Sequence, residues 1–145
     1  METLAELQAE GKIRFVGLSN VTREHIERAR EIVPIVSIQN RYSFADREWD
    51  YVVDYCERNG IAFIPWFTLG SGNVGGTLLE RIAKTHRSTP KQVALAWLLK
   101  RSPVMLPIPG TSSIEHLEEN VQAASLRLTD EEYGELMAVT RRFEE

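Results

Sequence analysis

The sequence predicts an α/β fold built on a parallel sheet, and three observations carry that expectation. The segments 14–18, 35–39, 61–66 and 104–108 are rich in Ile, Val and Phe with little polar alternation, the mark of strands buried on both faces. Stretches with apolar residues at helical spacing separate them. Strand and helix alternate four times with no Pro/Ser-rich linker, low-complexity tract or charge block, so residues 1–145 form one unit with right-handed crossovers. Composition agrees. The chain has 145 residues, a net charge of −4, 43% hydrophobic residues and one Cys, which suits one globular domain and excludes disorder and a disulfide framework.

Each element has its own local justification. Residues 3–9 are a helix that Gly11 stops, and 14–18 is the first strand. Thr22 caps a helix over 23–32, closed by Pro34. After the second strand, 35–39, Asp46 caps a helix through Trp49, Val53 and Cys56 to the Asn59-Gly60 stop, and 61–66 is the third strand. The Gly-rich run 70–76 is a loop, because Gly loses too much backbone entropy in regular structure. A helix over 77–86 follows. Thr89-Pro90-Lys91-Gln92 is a capping box with Pro at the first helical position, opening a helix through Lys100. After the fourth strand, 104–108, Ser112 with Glu115 and Thr129 with Glu132 form two more capping boxes. The expected core draws on Phe15, Val16, Val36, Ile38, Ala62, Ile64, Met105 and Leu106 in the strands. Ile26, Val53, Leu95, Trp97 and Leu98 join it from the helices.

An open doubly wound sheet and a (β/α)8 barrel share this pattern, and the polar residues separate them. Each strand ends in a polar or aromatic cluster: Ser19-Asn20, Gln39-Asn40, Trp66-Phe67-Thr68 and Gly110-Thr111-Ser112. Barrels build their sites from those ends, whereas no GxGxxG follows the first strand. Singly, these residues have plain roles as cap, turn or core aromatic; together at strand ends they point to a site. His25, His86 and His116 have no ligand-spaced partners, so no metal is expected, and Cys56 reads as a small buried hydrophobe. The longest apolar run, 61–69, falls far short of a membrane span of roughly 20 residues. The N-terminus lacks a signal-peptide layout, and an acidic chain with four Lys does not suit nucleic acid. The expectation is a cytoplasmic protein.

Four motifs in order resemble the aldo-keto reductases: Gly11-Lys12-Ile13-Arg14-Phe15-Val16-Gly17-Leu18-Ser19-Asn20, Ile38-Gln39-Asn40-Arg41-Tyr42, Gly60-Ile61-Ala62-Phe63-Ile64-Pro65-Trp66, and Pro107-Ile108-Pro109-Gly110-Thr111-Ser112-Ser113 with His116-Leu117-Glu118-Glu119-Asn120. The resemblance covers the chain but only the second half of that family's (β/α)8 barrel, strands five to eight; a whole barrel needs about 250 residues. It implies half a TIM barrel. It also implies NADP-dependent or NAD-dependent carbonyl reduction by ancestry. The family's catalytic Tyr, Lys, Asp and His come from the first half and nothing here matches them, so no catalytic residue is assigned, Tyr42 included.

What remains resembles the cofactor half. The resemblance assigns Ser19, Asn20 and Gln39 to the nicotinamide carboxamide and Trp66 to its ring face. It sets Leu69 and Ser71 against the pyrophosphate, with Phe67 replacing a hydroxyl. Gly110, Thr111, Ser112 and His116 fall at a phosphate, and Glu119 and Asn120 at adenine. Gly110 and His116 stand where tight binders of the 2′-phosphate often carry Lys and Arg, which lowers phosphate affinity, while the hydroxyls of Thr111, Ser112 and Ser113 keep NADP ahead of NAD.

Three functions follow from this: an enzyme half that acts with a separate first-half barrel fragment, a nicotinamide-nucleotide binding module without chemistry, or a vestigial structural half-barrel. The partner expectation is a homodimer. Half a barrel leaves 14–18 and 104–108 as unpaired apolar edges and an open inner face, and a second copy either completes eight strands or buries the inner faces in a face-to-face sandwich.

Overall fold

The computed structural model describes residues 1–69 and 76–140, with the backbone alone at 139 and 140. The order is α1 (Glu2–Ala9), β1 (Val16–Ser19), α2 (Arg23–Arg30), β2 (Ile35–Gln39), α3 (Asp50–Asn59), β3 (Ala62–Phe63), α4 (Thr77–Thr85), α5 (Pro90–Arg101), α6 (Ile114–Gln122), a 3-10 turn (Ala123–Ser125) and α7 (Asp130–Thr140). The three strands form one parallel sheet in the order β1-β2-β3.

The local helix signals act largely as the sequence implies. Thr22 accepts from the His25 N–H, Thr89 from the Gln92 N–H at 3.2 Å, and Thr129 from the Glu132 N–H at 3.1 Å, each within a reciprocal capping box. Gly60 closes α3 in the left-handed conformation with φ 64°. Two caps differ from expectation. Asp46 does not open α3; it pairs with Arg41 at 2.8 Å and sits in a tight turn whose backbone bonds join it to Ser43, so the helix starts at Asp50. Ser112 does not cap α6 either. Ser113 accepts from the His116 N–H at 3.3 Å, because Thr111 Oγ1 takes the Ser113 N–H at 3.1 Å and sets the helix start one residue later.

The last two strands are shorter than expected, and proline is the reason. Past Phe63 the ladder breaks at Pro65, which has no N–H, although Ile64 and Trp66 still donate to the carbonyls of Ile38 and Asn40 at 2.7 and 3.0 Å. The segment 104–108 makes a single parallel bridge, Phe63 to Met105, where Phe63 donates to Val104 at 2.9 Å and Leu106 donates to Phe63 at 2.8 Å. Pro107 then ends the pairing.

Alternation along the strands sorts the core onto one face. Ile38, Phe63 and Met105 lie in register and are buried with Ile26, Val53, Leu95, Trp97 and Leu98, as is Val16. Expected core residues on the opposite face are open instead: Phe15 is 67% exposed and Leu106 55%, while Ala62 and Ile64 are half-buried; Ile108, further along the same segment, is also exposed. Among the described residues helices cover only the first face, so this second face lacks the layer that a complete barrel interior would provide. Val36 is 39% exposed for another reason. The register jumps from Val16↔Ile35 to Gly17↔Ser37, leaving Val36 as the extra residue of a bulge. Around Trp97, Tyr42 stacks at 6.1 Å and Phe44 meets it edge-on at 5.5 Å, which fixes the packing of α5 against the chain that follows β2.

Candidate functional site

The exits of the three strands are tied into one rim. Asn20 follows β1 with φ 55°, a left-handed conformation that Asn tolerates better than most residues. Its N–H and the Ser19 hydroxyl both donate to the Gln39 carbonyl at 3.0 Å. Asn40 is fully buried, and its amide clamps the next residue: Oδ1 accepts from the Val21 N–H at 3.1 Å and Nδ2 donates to the Val21 carbonyl at 2.8 Å. From the third exit, Trp66 Nε1 donates to Asn20 Oδ1 at 2.9 Å.

Valence then dictates what the rim offers. An indole nitrogen only donates, so the Asn20 atom it meets is the carbonyl oxygen and the Asn20 NH2 is left to donate elsewhere. The Gln39 amide has no partner among the described residues, and Ser19 keeps its acceptor lone pairs. A free NH2, a whole amide and a hydroxyl acceptor at one edge complement a primary carboxamide. Ser19, Asn20, Gln39 and Trp66, four of the residues expected at the site, are therefore brought together.

A second group gathers beside it. Phe67 has φ 59° and lies under the Arg41 guanidinium at 4.9 Å, and Thr68 is buried with its hydroxyl donating to the Pro65 carbonyl at 2.9 Å. Residues 67–69, with Leu69 half-buried, face 108–110 across a cavity of about 290 Å³, and Lys91 completes its wall. Gly110 is thus set opposite Phe67 and Leu69. The remaining expected residues follow on the turn into α6 and on that helix: Thr111, Ser112 and His116 are exposed, and Glu119 and Asn120 half-buried. Among the described residues, no hydrogen bond or ion pair joins them to the rim. Ser71 lies outside the described residues.

Asn40 is legible in the sequence as part of a strand-end cluster, but not its clamp on Val21, which joins residues 19 apart. Lys91 carries no signal of a site, because only packing sets the first turn of α5 beside 108–110. Two titratable groups are far from functional use. Tyr42 is fully buried, its hydroxyl donates to Asp50, and burial with that carboxylate drives its ionisation upward, so it gives no proton near neutrality. Burial pushes the Cys56 thiol up to about 12. Among the described residues no three His, Cys, Asp or Glu side chains gather as a ligand set, and no helix is long and apolar enough to cross a membrane.

Known proteins share this frame. A pyridoxine 4-dehydrogenase of Escherichia coli is 44% identical over 97% of this chain and 50% of its own length. An uncharacterized oxidoreductase of Schizosaccharomyces pombe is 48% identical over 92% and 44%. Among solved structures, an aldo/keto reductase from Klebsiella pneumoniae in complex with NADP and acetate superposes with a TM-score of 0.86 at 26% identity, over 96% of this chain and 52% of that one. A thermostable aldo-keto reductase bound to the inhibitor epalrestat gives 0.85 at 35%, over 92% and 51%. The chain spans about half the length of the relatives it matches. The family model for the aldo/keto reductase family matches residues 1–77 and 75–141, and since those stretches contain the rim, the cavity and the turn into α6, this chain belongs to the aldo/keto reductase family.

Proposed function

We propose that this chain is the nucleotide-holding half of an NADP(H)-dependent carbonyl reductase, with the proton-donating residues supplied from outside it. The observation that carries the reading is the rim of Ser19, Asn20, Gln39 and Trp66, whose free hydrogen-bonding groups complement a carboxamide. A nicotinamide bound there supplies the hydride for reduction of a carbonyl. This chain's part is to orient and to hold. Asn20 donates through Nδ2, Gln39 and Ser19 accept from the amide NH2, and Trp66 covers a ring face while its N–H keeps the Asn20 amide turned. Thr111 and Ser112 offer hydroxyls to phosphate, and Glu119 and Asn120 border the adenine. NADP bound to the Klebsiella pneumoniae neighbour supports the same cofactor class here.

The same reading asks for a partner across the open face. Phe15, Leu106 and Ile108 are exposed there, and β1 on one side and Met105 on the other pair with a single neighbour each among the described residues. A second copy meets both needs, its β1 edge against the Met105 edge of the first, so a homodimer of cytoplasmic location is the assembly we infer for the chain on its own. Light scattering is expected to give twice 16.5 kDa at micromolar concentration; a stable monomer removes the dimer. An NADPH titration tests the function itself. Enhanced NADPH fluorescence with no reductase turnover supports it, together with turnover once a first-half barrel fragment is added. No binding up to millimolar NADPH leaves a vestigial half-barrel, and turnover by the chain alone refutes the division of roles.

A further inference from the structure

The turn before α6 carries hydroxyls but no fixed cation, since Gly110 and His116 stand where the resemblance calls for Lys and Arg. Another element carries a positive charge to that place. We infer that Lys91 is the cation that this site sets against a phosphate group of the dinucleotide, an inference that rests on the nucleotide reading above.

Three observations converge on it. First, among the described residues the cavity of about 290 Å³ between 67–69 and 108–110 has Lys91 as the one charged residue of its wall, with no carboxylate to repel an anion. Second, Lys91 is half-buried, and among the described residues its ammonium has no hydrogen-bond or ion-pair partner; Arg41, the other cation beside Phe67, is held by Asp46 at 2.8 Å. Third, its backbone is anchored. The reciprocal bonds between Thr89 and Gln92, at 3.2 and 2.9 Å, fix the start of α5 around Lys91. Gln92 Nε2 also donates to the Glu119 carbonyl at 3.0 Å, which binds this turn to α6, the helix that follows the hydroxyl-bearing turn. An ammonium on a flexible stem, with three donors and no competing partner, suits a phosphate oxygen whose exact place is set by the rest of the ligand.

Titrating the parent, Lys91→Gln and Lys91→Arg with NADPH and with NADH at two salt concentrations tests this. Lys91→Gln is expected to weaken NADPH about tenfold, the size of one lost charged hydrogen bond, and to flatten the salt dependence, whereas Lys91→Arg retains most of the affinity. An equal loss for NADH assigns Lys91 to the pyrophosphate, and a loss confined to NADPH assigns it to the 2′-phosphate. Adenosine, which has no phosphate, should bind all three proteins alike; a parallel loss of adenosine affinity would mean damaged packing and overturn the inference. Unchanged NADPH affinity and salt slope in Lys91→Gln, with a parent that binds, overturns it too and leaves the nucleotide reading standing. A parent that binds neither nucleotide removes both.

Discussion

Replacing Asn40 by Ala should cost more than its single small side chain suggests. The side chain is fully buried and serves both backbone groups of Val21, the residue that leads from the Ser19-Asn20 turn into the cap of α2. Deleting it forfeits two hydrogen bonds and leaves the Val21 N–H and C=O without those partners in a part-buried place, each omission costing about 1–3 kcal/mol. The expected loss is about 3 kcal/mol, against a total stability of about 5–15 kcal/mol. For a chain of this size that is a fall of roughly 10 °C in Tm. Ser19→Ala provides the internal scale. Its hydroxyl bonds the Gln39 carbonyl at the surface, where water replaces it, so the cost should stay below about 1 kcal/mol. Urea denaturation of both variants followed by circular dichroism measures the difference. Equal midpoints would refute the reasoning, because burial and a doubled partner would then make no difference. NADPH affinity should fall with Asn40→Ala even well below the unfolding transition, since Asn20 loses the clamp one residue beyond it.

Other expectations concern the ligand and the titratable groups. Trp66→Phe keeps a ring but frees the Asn20 carbonyl, so NADPH should bind about threefold weaker, and Trp66→Ala about tenfold weaker, by loss of one hydrogen bond and then of the stacking face. Adenosine 2′,5′-bisphosphate, which has no nicotinamide, should bind both as it binds the parent, whereas Glu119→Ala should weaken it; the reverse pattern would invert the placement of the ligand. Cys56, with its thiol pushed up to about 12, should resist iodoacetamide at pH 8 until the chain is unfolded in urea, and rapid labelling of the native protein would contradict its burial. Glu132 is pulled up by burial, but the Thr129 N–H and His86, 2.9 Å away, outweigh this and hold its carboxyl below its ordinary range. A lowered folded value adds stability that is present above the unfolded value and lost as pH falls through the folded one. Glu132→Gln should therefore melt earlier than the parent at pH 7, with the gap closing as pH falls through the lowered folded value; a gap independent of pH would refute the linkage.

The signals that the sequence determined by itself are short in range. A capping box joins residues three apart, a left-handed Gly ends a helix within one turn, and a Pro removes one N–H wherever it stands, so Thr22, Thr89, Thr129, Gly60 and the order of strands and helices could be read directly. The family motifs were legible for the same reason, as contiguous runs. Ser112 failed as a cap because Ser113, one residue on, takes the role once Thr111 binds its N–H, and Asp46 failed because its turn with Ser43 and its pairing with Arg41 leave it four residues short of the helix start at Asp50. Which face of the strands is covered was decided only in three dimensions: Phe15 and Leu106 are as apolar as Val16 and Met105, and exposure separates them because helices pack on one side of the sheet alone. The site divides in the same way. Ser19, Asn20, Gln39 and Trp66 could be named from the chain, but the Trp66 bond that turns the Asn20 amide spans 46 residues, and Lys91 reaches residues 108–110 from a different helix. Free donors and acceptors at a site depend on what neighbours have already consumed, and those neighbours are fixed by packing between elements far apart in the chain.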